Sequence, residues 1–292
     1  MKKFISIIYN AIPFKAAVFK IVKMLWSPPH SIYQHLHFTG IINIKVDGNS
    51  SFKMHHYGFE LENEVFWKGL ENGWENVSVG IWKKLAGDAG VVFDVGANTG
   101  IYTLITKAIN PQARVYAFEP LPWICQKMQK NFSLNNFDVS SYEYALSDYT
   151  GTAKVFLEED EIHVYSVTVN KNMLHQNKGV EREIRTITIA DIIEQNKIDK
   201  IDVLKIDVET HEVEVLRGMG KYLDIMRPAM LIEILNDEVG EGVQNLLKDK
   251  GYLYFNIDEL GGVRQVSSIT KSDYYNYLVC NETIAHKLGL LQ

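Results

Sequence analysis

The chain has 292 residues, of which 46% are apolar and 23% charged, enough to build a large core beneath an ordinary polar surface. Its formal net charge of −6 argues against a general nucleic-acid binder, which would usually be basic. Cys125 and Cys280 are the two cysteines and stand far apart. They make neither a disulfide framework nor a cysteine zinc site and point to a reducing, cytoplasmic setting.

Residues 1–30 carry Lys2, Lys3, Lys15, Lys20 and Lys23 and no acid. Phe14, Ala17, Val18, Ile21 and Leu25 recur at helical spacing, with Lys20 and Lys23 on the other side, which predicts a basic amphipathic helix. Such a helix packs on its own domain, packs on a second copy in a homodimer, or rests on an anionic membrane surface through residues 1–26. Packing is the preferred expectation. The lysines interrupting the apolar stretch argue against a secretory signal. No apolar run approaches the roughly 18 residues of a spanning helix. Trp26-Ser27-Pro28-Pro29 should end the helix, because proline cannot continue it.

Residues 31–86 form a second region. His35-Leu36-His37-Phe38 and Ile41–Val46 alternate, Asp47-Gly48 is a hairpin turn signal, and Ser51–Met54 resumes the alternation. A small β-hairpin is expected here. His35, His37, His55 and His56 invite a metal reading, but no carboxylate is spaced to complete a site, so no metal is expected. Residues 60–86 read as helical, with Trp74 and Trp82 more at home in a core than on a cofactor. A segment placed just before the first strand of the next region could also fold over a pocket.

Residues 87–292 form the main domain. Val91–Val95 is a short apolar run containing Asp94, and Gly96-Ala97-Asn98-Thr99-Gly100 is a glycine turn that leads into a helix from Ile101. Strand, glycine turn and helix open a doubly wound α/β domain. A dinucleotide fingerprint needs glycine where Asn98 stands. An acid two residues before the first glycine suits a ligand with an ammonium group, as in S-adenosylmethionine (SAM). The next strand, Arg114–Phe118, ends in Glu119-Pro120, where an acid can accept from both hydroxyls of a ribose. NAD enzymes share that acid, so Glu119 identifies a ribose and not a methyl donor.

A helix to about Asn135 and a strand to Ala145 follow, and Ala145-Leu146-Ser147-Asp148 closes the third strand. Asp148 can also cap the turn before Thr150-Gly151. Residues 158–181 break periodicity. A loop this long within a compact domain is often functional, and His163, Tyr165 and Ser166 are candidate acceptor contacts. The fourth strand, Val203–Ile206, ends in Asp207-Val208-Glu209-Thr210-His211-Glu212, which opens a helix. The fifth, Met230–Ile232, ends in Glu233. Asp207, Glu209 and Glu233 should converge at the pocket mouth, where crowding and burial would raise the pKa of at least one and make it a candidate general base. His211 is a further catalytic candidate. Asp207 or Glu209 could instead cap the helix.

Asp94-Val-Gly-Ala-Asn-Thr-Gly100, Ala117-Phe-Glu-Pro120, Ala145-Leu-Ser-Asp148 and Leu204-Lys-Ile-Asp-Val-Glu209 resemble, in order, the motifs of the FkbM-type SAM-dependent methyltransferases. The resemblance spans roughly residues 75 to 280. It implies a Rossmann-like α/β fold: a seven-stranded, mostly parallel sheet with helices on both faces and a C-terminal antiparallel hairpin. Tyr252–Ile257 and Tyr277–Cys280 would form that hairpin, with Gly261-Gly262 turning between them. It also implies SAM contacts at Asp94, Gly96, Ala97, Asn98, Thr99, Gly100, Glu119, Pro120, Leu146, Asp148 and Asp207, with the 145–148 corner beside the adenine. Thr210 departs from the commonest family pattern, which has glycine there, and this puts the acceptor-side backbone shape in question. The expected reaction is methyl transfer to an oxygen of a saccharide or small natural product. Two rivals are a non-catalytic SAM-binding or scaffold protein and a nucleotide-cofactor oxidoreductase; Asn98 and Asp94 oppose the second.

Overall fold

The computed structural model describes residues 14–158 and 179–291. Helix α1 (Lys15–Leu25) and a short α2 (His30–Tyr33) precede an antiparallel hairpin of β1 (Gly40–Lys45) and β2 (Ser51–His56). The hairpin's alternation decides its two faces. Ile42, Ile44, Phe52 and Met54 are buried, while Ile41, Asn43, Lys45 and Lys53 face out. Residues 35–38 alternate in sequence but are not in a strand; pairing begins at Gly40, opposite His56.

Helices α3 (Glu60–Lys68) and α4 (Asn76–Ala86) then lead into β3 (Val91–Val95). The chain continues through α5 (Ile101–Ile109), β4 (Arg114–Phe118), α6 (Pro122–Leu134) and β5 (Ser140–Tyr142). All five residues of β3 are buried, as expected of a parallel strand covered on both faces. The strand predicted to run to Ala145 is split. Its first part, β5, pairs with β4, and β6 (Ala145–Leu146) leaves the main sheet to pair with Thr186 and Ile187. There it joins β7 (Gly151–Glu158) and β8 (Gly179–Ile187) in a separate three-stranded sheet. His163, Tyr165 and Ser166 lie outside the described residues.

The second half runs α7 (Ile189–Asn196), β9 (Val203–Ile206), α8 (Glu212–Arg217), α9 (Tyr222–Met226), β10 (Ala229–Glu233) and α10 (Asp237–Leu247). It closes with β11 (Leu253–Asp258), β12 (Gly262–Val266), β13 (Asn276–Cys280) and α11 (Glu282–Leu288). The main sheet has the order β12-β11-β13-β10-β9-β3-β4-β5. Strands β5, β4, β3, β9 and β10 are parallel; β13, β11 and β12 are antiparallel. The Rossmann-like α/β fold with its antiparallel end is therefore present, with eight strands where seven were expected. The Gly261-Gly262 turn leads β11 into β12, an edge strand with two exposed and three half-buried residues, and β13 enters between β10 and β11.

The N-terminal extension shares its core with this sheet. Phe19, Met54 and Trp82 belong to the same buried cluster as Leu104, Leu231 and Leu278. Trp82 Nε1 donates to Thr106 Oγ1 at 3.0 Å, which satisfies a buried donor as well as filling space.

Candidate active site

The parallel strands β4, β3, β9 and β10 end along one edge, the side on which open α/β sheets bind ligands. A cavity of about 410 Å³ lies there. It is lined by Asp94, Gly96, Ala97 and Asn98 at the first turn, Glu119 and Pro120 after β4, and Leu146 from β6. Asp207, Glu209 and His211 follow β9, and Glu233 ends β10. Thr99, Gly100 and Asp148 stand outside the lining.

Two glycines shape the turn. Gly96 has φ +78°, and a Cβ there would sit 1.8 Å from the carbonyl oxygen of Asp207, so only glycine lets the first turn approach β9. Gly100 has φ +90°, and its absent side chain makes room for the Phe132 ring of α6. The turn is also held from outside the domain's first motif. Asn131 Nδ2 donates to the Thr99 carbonyl at 2.9 Å, and its Oδ1 accepts from the His55 amide at 2.9 Å.

The two acids expected to hold the cofactor are both buried and both partnered. Asp94 Oδ2 accepts from the amide and hydroxyl of Thr103, at 3.0 and 2.7 Å, and so pins the start of α5. Burial lifts its carboxyl to about 6, opposed by Thr103 and Lys205. Glu119 accepts from the Asn98 amide at 3.1 Å and the Leu121 amide at 3.0 Å. Burial lifts it to about 7 despite these bonds.

Lys205 lies in the middle of an apolar strand and is almost fully buried. Its Nζ is 3.2 Å from Asp207 Oδ2 and 5.1 Å from the centre of the Tyr102 ring. The Tyr102 hydroxyl in turn donates to Glu75. Burial alone would lower the lysine's pKa, but Asp207, Glu75 and Glu233 outweigh it, and the net shift is upward. A buried lysine needs such partners, and Val203-Leu-Lys-Ile206 displays that signal in sequence. Lys205, Tyr102 and Glu75 are site residues that the motifs alone did not pick out.

Asp207, Glu209 and Glu233 do converge, each offering an oxygen within 4.8 Å of the others. Burial, with repulsion from Asp207 next, pushes Glu209 up to about 7 and Glu233 up to about 10. Three such oxygens could hold a divalent cation. Lys205 already supplies a positive charge at Asp207, and we assign no metal. Neither Asp207 nor Glu209 caps the helix, whose N-cap His211 has no side-chain cap bond; Glu212 Oε1 instead braces the preceding loop, accepting from the amides of Val208 and Thr210, both at 3.3 Å. Both ring nitrogens of His211 are engaged. Nε2 is 3.0 Å from Ser147 Oγ, and Nδ1 is 3.5 Å from a Glu214 oxygen.

A further wall comes from the extension. Glu60, Leu61 and Glu64 of α3, with Trp74 and Glu75 before α4, line the cavity. Trp74 therefore faces the pocket and also packs edge-on against Tyr102 at 5.7 Å. Among the described residues the lining holds eight carboxyl side chains against one lysine. That enclosure fits SAM, whose sulfonium and ammonium are both positive, and Glu119 sits at the strand end where a ribose would be held.

Comparison with known proteins agrees. The family described as Methyltransferase FkbM domain matches residues 94–254. Methyltransferase sdnD of Sordaria araneosa is 25% identical over 55% of this chain and 73% of its own. The hexuronic acid methyltransferase AglP of Haloferax volcanii is 31% identical over 46% of this chain and 51% of its own. The 31-O-demethyl-FK506 methyltransferase FkbM of Streptomyces tacrolimicus is 29% identical over 44% and 59%. Among solved structures, a methyltransferase FkbM from Methylobacillus flagellatus aligns with a TM-score of 0.42 and 17% identity, covering 66% of this chain and 43% of the other. With its four ordered motifs on the ends of a methyltransferase sheet and the family match spanning over half its length, the chain belongs to the FkbM-type SAM-dependent methyltransferases.

Proposed function

We propose that this protein methylates a hydroxyl group of a neutral, hydroxyl-rich acceptor, a saccharide or a small natural product. Bound SAM would supply a methyl group already activated on a positive sulfur. Asp94 and Glu119 would hold its two ends, and Asp207 would border the transferring region. Glu209 carries the reading. Its carboxyl lines the cavity and is poised near 7, so it can be ionised at neutral pH yet still bind a proton taken from a hydroxyl. Glu233 is pushed upward more strongly than Glu209, by burial and by Asp207, which makes it the less suited of the two to act as base. His211 is occupied on both ring nitrogens and serves to position the loop after β9. The preponderance of carboxyls disfavours an acceptor that brings its own carboxylate, such as a uronic acid.

The test uses full-length protein and Glu209→Gln, with SAM binding followed by calorimetry and methyl transfer by mass spectrometry. Neutral glycosides and uronates serve as acceptors. The variant should keep SAM affinity and lose roughly 10²–10⁴-fold in turnover. Full turnover in the variant, or a preference for uronates, would overturn this assignment.

A further inference from the structure

Helix α1 is amphipathic, and it is mounted with its apolar side outward. Phe19 is its buried residue, packed on Phe38 at 5.7 Å and Trp67 at 5.6 Å. The basic side grips the domain: Lys20 Nζ donates to the Ile41 carbonyl at 3.2 Å, and Lys23 donates to the Phe66 carbonyl. Phe14, Val18, Ile21 and Leu25, spaced at one helical face, are 82%, 43%, 55% and 83% exposed. Packing, on the domain or on a second copy, was the preferred expectation for this helix; Phe19, with Ala16 and Val22, packs on the domain, and the stripe does not. Single exposed apolar side chains are ordinary on a protein surface, but a continuous stripe at helical spacing marks an interaction face.

Charge selects the occupant. Residues 1–46 contain six lysines and no acid, and the first acid is Asp47. The whole chain carries −6, so this +6 segment leaves −12 on the remainder. On the adjoining outer face of the hairpin, exposed Lys45, one of the six, is joined by exposed Lys53. A second copy docking through this face would bring like charge against like. An anionic bilayer would attract it while the acidic body stays in water. No helix among the described residues is long and apolar enough to cross a membrane, so the contact is with the surface.

We propose that α1, with the outer face of the β1–β2 hairpin, docks this protein on an anionic lipid surface. Phe14, Val18, Ile21 and Leu25 seat at the boundary between headgroups and acyl chains. Lys23 ties this foot to α3, whose Glu60, Leu61 and Glu64 line the cavity, so a single helix separates the lipid-facing stripe from the pocket.

The experiment is co-sedimentation of the full-length protein with vesicles of phosphatidylcholine, alone or mixed with phosphatidylglycerol. Binding should require phosphatidylglycerol and weaken in high salt. The double variant Ile21→Glu/Leu25→Glu should lose binding by at least about tenfold, since each change removes buried apolar surface and adds a repelled charge. Both positions are exposed, so its melting temperature should match the parent protein's, which separates lost docking from lost fold. Absence of binding to phosphatidylglycerol vesicles would overturn the proposal, as would equal binding to neutral vesicles or full binding by the double variant. A dimer in sedimentation velocity that the double variant dissociates, without vesicle binding, would assign the stripe to a second copy. Vesicle binding gained only on deleting residues 1–13 would assign it to that segment.

Discussion

Asp94 and Lys205 stand directly opposite each other in the parallel pairing of β3 with β9. Two strands that carry separate motifs thus place opposite charges side by side beneath the cavity. The lysine also serves Asp207, Glu75 and Glu233, so one buried cation balances several acids. Lys205→Met keeps most of the unbranched side chain and removes its charge. It should cost about 3–5 kcal/mol, because the acids are left buried without compensation. Urea melts measure the loss. The deficit should shrink as pH falls, since protonation relieves the repulsion. An equally stable variant at neutral pH would show that the acids do not depend on this cation.

Thr210 occupies a position where the backbone has φ +78°, next to Glu209 at φ +55°. A β-branched residue is strained there, at a cost on the order of 1–3 kcal/mol. Its hydroxyl is also buried without a partner. The loop therefore holds the left-handed backbone usual for glycine although its sequence lacks one. Thr210→Gly should raise stability by about 1 kcal/mol after allowing for the extra freedom of glycine in the unfolded chain. Thermal unfolding decides this, and a lower melting temperature would mean that the threonine side chain contributes contacts that outweigh its strain.

The contact between Ser147 Oγ and His211 Nε2 joins the corner after β6 to the loop after β9. His211→Ala should destabilise the protein by about 1–2 kcal/mol through the loss of its hydrogen bond to Ser147 and its contact with Glu214. Turnover should fall by less than about tenfold, well short of the 10²–10⁴-fold loss of a general base. Parallel measurement of unfolding and saturation kinetics separates the two roles.

The carboxyls predict a pH dependence with a definite sign. Glu119 and Glu209 are both raised to about 7, against an unfolded value of about 4.3. The unfolded chain gives up these protons first as pH rises. Stability of the ligand-free protein should therefore fall between about pH 4.5 and 7, the window between the two values. Glu119 is the cofactor-side group of the two, and cationic SAM favours its ionised form, so SAM affinity should rise across the same window. Melting with and without SAM tests both statements together: the stabilisation by SAM should grow with pH. A constant difference would remove Glu119 from cofactor binding.

The sheet was legible because its strands announce themselves. Val91–Val95 and Val203–Ile206 are short apolar runs that stop at acids, and both are buried parallel strands with those acids at the cavity. The departures have local causes. Edge strand β12 contains Arg264 and Gln265 and is half exposed, so it lacks the apolar run that marked its neighbours. The break after Tyr142 depends on pairing with β8, some forty residues later, which no local pattern reveals. The acids of the cavity could be placed by strand order, but their division of labour could not. Asp94 spends an oxygen on Thr103, and Glu212 turns back to brace the loop amides of Val208 and Thr210; both depend on orientations that spacing does not encode. Trp74 read as a core residue because an aromatic before a helix usually is one, and it does both jobs.

The wall built by Glu60, Leu61, Glu64, Trp74 and Glu75 lies upstream of the 94–254 segment shared with the family. Under the proposed function, the donor site and this part of the pocket wall would be inherited on different stretches of polypeptide. Under the proposed function, natural variation could retune the accepted compound by exchanging the short 60–75 stretch while the methyl-donor chemistry passes down unaltered. The same separation gives a route to redirect the enzyme: graft this stretch between relatives, and leave the glycine turn and its acids untouched.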